Sequence, residues 1–265
     1  MHPFGGHLSR HFRDSLAPDN TPYLSYYDVR LFKADVNVLK NDWLTDTVIS
    51  FWEEYLEREY LTEFKNSKIV LLRPTMSMML LMTQDARQIK EALPDFTGVT
   101  HIFLPITDNH DPDAIEGGTH WSLLLVSVVD GVAFHYDSLY NSNRNDAFQC
   151  TEKISRLLGV KLRFIHLQDT PQQENGSDCG VYVCLFMKHL LLKRLLMVRT
   201  NEKVSMSMGG KMIDAREGRK EMLRIIEERR REGERRRSMS KSPAPGGRKS
   251  RSPPRIDSPM ESDKN

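Results

Sequence analysis

Apolar residues recur at helical spacing in "DWLTDTVISFWEEYLEREYL". Leu44, Val48, Ile49, Phe51, Trp52, Tyr55 and Leu56 share one side of a helix of roughly three to five turns, with Thr45 or Asp42 as N-cap. The short run "SKIVLLRP" predicts a strand stopped by Pro74, and "SMMLLMTQDARQIKEAL" returns to a helical pattern ending at Pro94. "HIFLPIT" predicts another strand, and "WSLLLVSVVDGVAFHYD", from Trp121 to Asp137, predicts a hairpin turning near Asp130 and Gly131. "NDAFQCTEKISRLLG" predicts a helix closed by Gly159, and "VKLRFIHL" a strand. Gly180 to about Met197 is apolar around most of its circumference, the pattern of a central, buried helix. Helices and strands interspersed around an antiparallel hairpin imply an α+β fold rather than a regular βαβ winding.

The ends of the chain read differently. Residues 1–22 are polar and Pro-punctuated, which predicts a weakly ordered arm before one domain over 23–237. That domain would close with a charged helix, "DAREGRKEMLRIIEERRREGERRRS", whose Met222, Ile225 and Ile226 face the core. Residues 238–265, rich in Pro, Ser and Arg, predict a disordered basic tail, in which Ser242, Ser252 and Ser258 each precede a proline. The net charge is +2, but residues 227–265 hold twelve Lys/Arg against seven Asp/Glu, a net +5, which leaves −3 on the rest. The basicity thus belongs to the tail, and no specific nucleic-acid partner is expected of the fold. No apolar run approaches the ~18 residues of a membrane span, and the first residues lack a signal-peptide core, so no membrane partner is expected either. Cys150, Cys179 and Cys184 have no paired spacing, which suits a reducing compartment, nucleus and/or cytoplasm.

Cys179 stands between the turn "QQENGSD" and the apolar helix, where the positive end of the macrodipole favours a thiolate. A thiol nucleophile also needs a base, a group orienting that base, and donors for the oxyanion. His120, at the mouth of the first hairpin strand in "GGTHWS", and Asp137, closing the second in "FHYDS", are the candidates for base and orienter. A turn centred between Val128 and Val129 would set the pair directly opposite, whereas a tight Asp130-Gly131 turn would offset them by four residues, about 13 Å. The pairing therefore requires a looser turn or a bulge. Gln173, with the Cys179 backbone N–H, is the candidate oxyanion donor, and Gln172 competes with it. Each residue also has a structural reading: a cysteine on an apolar helix is often a small buried hydrophobe, the preferred account of Cys184. Cys179, Cys184 and His189 at spacings of five match no usual zinc pattern, so no metal is expected, and a thiol–imidazole mechanism of this kind needs no cofactor.

Taken together, "GGTHWSLLL", "FHYDS" with its Asp seventeen residues after the His, and "QQENGSDCG" with its Gln six residues before the Cys resemble the Ulp/sentrin-specific cysteine proteases. "DWLTD" is similar to that family's Trp-Leu-Asn-Asp element, with Thr45 in place of the Asn. The resemblance runs from about Asp28 to Leu196. It implies a papain-like fold with a mixed sheet, a His120–Asp137–Cys179 triad assisted by Gln173, and cleavage after the C-terminal diglycine of a ubiquitin-like modifier. Trp43, Asp46 and Trp121 would bind substrate, the two indoles forming a tunnel that only glycine passes. Size and hairpin favour the deneddylase branch, acting on a Nedd/Rub modifier as a monomer. SUMO is the alternative modifier, and a Cys/His acetyltransferase or an inactive modifier-binding module are the alternatives of another class.

Overall fold

The structure, a computed structural model, describes residues 18–64, 66–111, 117–197 and 204–240, with side chains to 238. Most of the expected N-terminal arm (1–17) and the basic tail from 241, with Ser242, Ser252 and Ser258, lie outside the described residues. The chain divides into two compact units, Met1–Arg230 and Arg231–Asn265.

The first elements are a small antiparallel pair, β1 (Pro22–Tyr26) and β2 (Val29–Phe32), followed by the short helix α1 (Lys33–Asn37). Sequence reasoning assigned no element to 23–41. The turn between these strands carries Tyr27 at φ 45°, a conformation for which Gly or Asn is the usual signal, and neither is present. Helix α2 (Asp46–Glu59) follows, and Thr45 is its N-cap: the Thr45 hydroxyl accepts from Val48 N–H (3.2 Å) and donates to Asp35 Oδ1 (2.8 Å). Trp52 is fully buried, its indole N–H donating to the Cys184 carbonyl (2.8 Å).

A five-stranded mixed sheet runs in the order β3 (Ile69–Leu71), β4 (His101–Thr107), β5 (Trp121–Ser127), β6 (Val132–Tyr136), β7 (Arg163–His166). The outer strands are parallel to their neighbours and the inner three are antiparallel. Period-two alternation gives each face its own core. Phe103, Leu123, Leu125 and Tyr136 join α2 and the central helix α5 (Cys179–His189) on one side. Ile102, Leu104, Leu124, Val126 and Ala133 join α3 (Pro74–Met82) and α4 (Arg144–Leu158) on the other. The last helix, α6 (Ala215–Ser240), buries Met222, Ile225 and Ile226 in the first of these cores.

Two helices differ from their sequence patterns. The helix expected up to Pro94 begins at Pro74, whose missing N–H costs nothing at the first helical position, and stops at Met82. Asp85 then accepts from Arg87 N–H (3.1 Å) and starts a separate 3-10 segment, Ala86–Ala92. The apolar run to Met197 is α-helical only to His189 and continues as a π-helix over Leu190–Leu196.

Candidate active site

A glycine brings the chain to His120. Gly118 has φ +97°, and a Cβ there would sit 2.8 Å from both Asp108 Oδ1 and Thr107 Oγ1. The loop can thus close on the Asp108 carboxylate, which accepts the N–H groups of Thr119 (2.6 Å) and His120 (3.0 Å) and the Thr119 hydroxyl (2.5 Å). Burial disfavours the charged form of Asp108, but these donors outweigh it and hold the carboxyl below its usual range.

The hairpin register decides the geometry of the proposed pair. Leu123 faces Tyr136 and Ser127 faces Val132, so the connection is a four-residue loop, Val128–Gly131, with Gly131 at φ +65°. A tight Asp130-Gly131 turn is absent. Asp130 instead accepts the Ser127 hydroxyl and returns its own N–H to Ser127 Oγ (3.3 Å), which widens the turn by two residues. Continuing this register puts Asp137 across from Ser122, two residues from His120, a diagonal that the side chains span. His120 Nε2 donates to Asp137 Oδ1 at 2.7 Å, with both side chains buried. Asp137 also accepts from Leu139 N–H (3.0 Å) and Asn143 N–H (2.9 Å). Burial opposes the ionised Asp137, yet His120 and these two amides keep its pKa below the usual value. Asn143 closes the arrangement by donating its side-chain amide to the carbonyls of Ile106 (3.1 Å) and His120 (3.2 Å).

Among the described residues, the other ring nitrogen, His120 Nδ1, is buried without a hydrogen-bond partner. Burial works against imidazolium, but Asp137, and then the negative charge of Cys179 when it is a thiolate, outweigh it and raise the His120 pKa to about 9. One face of the imidazole is therefore fixed by a carboxylate and the other is turned to Cys179. That cysteine is the first residue of α5 and is 1% exposed. Gly180 lets the start of α5 lie close to the segment that leads into α2, since a Cβ there would lie 2.9 Å from Leu44 Cβ, and Leu44 adjoins Trp43.

The two glutamines have different partners. Gln172 donates to the carbonyls of Asp137 (2.9 Å) and Thr170 (2.9 Å) and accepts from Tyr140 N–H (2.9 Å). Both of its amide hydrogens are committed. Gln173 accepts the Ser138 hydroxyl (2.8 Å) and donates to the Asn175 carbonyl (2.7 Å), which leaves one of its two amide hydrogens for another acceptor. Trp43 is 44% exposed, and Trp121 is half-buried at the head of β5, next to His120. Asp46, exposed at the start of α2, lines a cleft of about 620 Å³ with Asp28, Arg30, Glu57 and Arg73, which none of the other predicted site residues lines. Asp108 and Asn143 were missed by sequence reasoning. Both stand in polar loops, where nothing in the residue pattern separates an anchor from a solvated side chain. Among the described residues no group of three His, Cys, Asp or Glu is placed to hold a metal ion, and no helix is long and apolar enough to cross a membrane.

This arrangement can be set beside known proteins. The family model described as "Ulp1 protease family, C-terminal catalytic domain" matches residues 42–215, which include every residue of the site. The chain belongs to the Ulp1 protease family. Among its relatives is NEDD8-specific protease 2 of Schizosaccharomyces pombe, 36% identical over 215 residues that make up 79% of this chain and 51% of that one. The probable sentrin-specific protease 8 of Dictyostelium discoideum is 35% identical over 68% of this chain and 77% of its own length. The human sentrin-specific protease 8 is 35% identical over 60% and 76%. This Ulp1-family chain therefore spans about half the length of the fission-yeast relative and most of the other two. Its fold is that of the yeast Ulp1 protease domain solved in complex with Smt3, with a TM-score of 0.60 at 19% identity, over 83% of this chain and 93% of that one.

Proposed function

We propose that the chain is a cysteine peptidase that cleaves after the C-terminal diglycine of a ubiquitin-like modifier of the NEDD8 class. The observation that carries this reading is the His120 imidazole, bonded on one side to buried Asp137 at 2.7 Å and open on the other toward the thiol at the start of α5. The modifier class rests on the relatives named NEDD8-specific protease and sentrin-specific protease 8.

In this mechanism His120 takes the Cys179 proton, and Asp137, whose hydrogen bond helps raise the imidazole pKa to about 9, stabilises the imidazolium that results. Asp137 fixes the ring through Nε2, so Nδ1 carries the proton toward the reacting groups. Cys179 Sγ attacks the carbonyl of the modifier's last glycine. The resulting oxyanion is received by the Cys179 backbone N–H, unpaired at a helix start, and by the spare amide hydrogen of Gln173. His120 then protonates the leaving amine, and water, activated by the same imidazole, hydrolyses the thioester. Trp43 and Trp121 line the approach of the diglycine.

The test is a set of NEDD8, SUMO and ubiquitin proteins ending in a diglycine electrophile, each incubated with the chain and with its Cys179→Ala variant. Rapid covalent capture of the NEDD8 probe by Cys179 is expected, with slower capture of the other two. Faster capture of SUMO would move the assignment to that modifier, and capture of none would overturn the peptidase reading.

A further inference from the structure

Arg219 is the fourth residue past the stretch matched by the family model, on helix α6, and its side chain is only 6% exposed. It reaches the turn before the nucleophile. Its Nε donates to Asp178 Oδ1 (2.8 Å), Nη2 to the Ser177 carbonyl (2.9 Å) and Nη1 to the Val38 carbonyl (2.9 Å). Gly218 permits this approach, because a Cβ there would lie 2.8 Å from Leu185 on α5. One buried guanidinium thus ties α6 to the two residues preceding Cys179.

Asp178 is the N-cap residue of α5, yet its side chain makes no capping hydrogen bond. An aspartate in that position ordinarily accepts the N–H of the second or third helical residue, a stabilising bond. Here both carboxylate oxygens are engaged away from the helix, Oδ1 by Arg219 and Oδ2 by the Asn175 side-chain amide (2.8 Å). A capping carboxylate would put a full negative charge beside the first backbone N–H groups of α5, where the mechanism requires an oxyanion to develop.

We propose that Arg219 is a positioning residue that holds Asp178 out of its capping position and so keeps the oxyanion site of α5 open. The proposal rests on the peptidase reading above. Without Arg219, the Asp178 carboxylate turns to cap the helix and both blocks and repels the oxyanion. The guanidinium does not touch substrate; it acts through Asp178.

The test compares Arg219→Gln, Arg219→Lys, Asp178→Ala and the double variant Arg219→Gln/Asp178→Ala on a diglycine-ended NEDD8 substrate, with thermal unfolding of each. Arg219→Gln is expected to lower kcat by about 100-fold with KM little changed, the size of a lost oxyanion interaction. Removing the freed carboxylate should restore most of that loss, so the double variant turns over faster than Arg219→Gln although it is no more stable. A NEDD8 tail ending in glycine aldehyde, which forms a hemithioacetal with an oxyanion-like oxygen, should lose affinity for Arg219→Gln and regain it in the double variant. If Arg219→Gln does not fold, Arg219→Lys with and without Asp178→Ala gives the same comparison. A double variant as slow as or slower than the single one overturns the proposal, because a merely structural arginine is not rescued by a second deletion. A wild-type chain that neither turns over substrate nor binds the aldehyde overturns the peptidase reading instead.

Discussion

His120 and Asp137 are held from several separate segments, whereas the turn carrying Gln173 to Cys179 is held mainly from within itself. Asp108, Asn143, Leu139 and Gln172 all bond to the backbone or side chain of the His–Asp pair, and both side chains are buried. In the turn, Asn175 Oδ1 accepts the N–H groups of Ser177 (2.9 Å) and Asp178 (3.0 Å), while Glu174, Asn175 and Gly176 face solvent. Its outside anchors include Ser138 at one end and Arg219 at the other. The end proposed to hold the base is thus over-determined, as a proton relay needs. The end proposed to receive the oxyanion is a short loop whose geometry depends on a few polar contacts.

The most damaging substitutions should be at the base end itself. Asp137→Asn keeps the shape but loses the charge that fixes the His120 tautomer and stabilises imidazolium, and kcat should fall by about 10³- to 10⁴-fold. Asn143→Ala removes two bonds to backbone carbonyls and leaves the pair its other anchors, so a fall nearer tenfold is expected. Steady-state kinetics on a diglycine-ended NEDD8 substrate separates the two, and equal losses would show that the pair is not over-determined.

The neighbouring glutamines sharpen the contrast. Gln173→Ala should cost about 10- to 100-fold in kcat with KM little changed, since an oxyanion donor acts in the transition state. Gln172→Ala removes three hydrogen bonds, two of which pin the loop after Asp137, and should act on stability, by about 1–3 kcal/mol, more than on kcat. Unfolding curves and kinetics of both variants decide it. The reverse pattern would exchange their roles.

The contrast also explains what could be read from sequence. The α+β class, the sheet strands and the central helix followed from period-two and helical alternation, because each is buried against a core that the pattern reports. His120, Asp137 and Cys179 were singled out through the motifs that resemble the Ulp/sentrin-specific proteases, and of these the structure bonds His120 to Asp137. The offset between His120 and Asp137 was not legible, since it depends on a Ser127–Asp130 side-chain exchange that keeps the turn from tightening. Asp108, Asn143 and Arg219 were invisible for a related reason: each acts by bonding to backbone groups distant in sequence, which leaves no periodic trace. The small sheet of β1 and β2 was missed because its turn places a tyrosine where glycine is the usual signal.

Titration gives a further measure of how firmly the base end is built. The His120 pKa is raised from 6.5 to about 9, so its contribution to stability is fully present below about pH 6.5 and is lost as pH rises through about 9. Asp137 has a lowered pKa, so its contribution is present above its ordinary value near 3.8 and lost as pH falls through the folded value. The stability difference between wild type and His120→Gln should therefore be largest between about pH 4 and 6.5 and shrink as pH rises through about 9, down to what the neutral imidazole contributes. Denaturant unfolding across that range checks it. A difference that grows with pH would mean that folded His120 is held neutral.

The smallest effect on turnover is expected at the two cysteines away from this constellation, which serve as internal controls for the nucleophile. Burial pushes the Cys150 thiol up to about 12, and burial followed by the nearby Glu53 charge pushes Cys184 well above its ordinary value. Neither supplies thiolate near neutral pH. Cys184 lies five residues inside α5, and its carbonyl, which receives the Trp52 indole N–H, survives truncation of the side chain. Cys184→Ala should thus lose about 1–2 kcal/mol of stability to a small cavity while kcat stays within about twofold. At pH 7 and native temperature, iodoacetamide should alkylate one thiol quickly, with Cys179→Ala taking up none on that timescale and Cys184→Ala still taking up one. Mass spectrometry of the intact chains reads the stoichiometry, and rapid labelling that persists in Cys179→Ala would place the reactive thiol elsewhere.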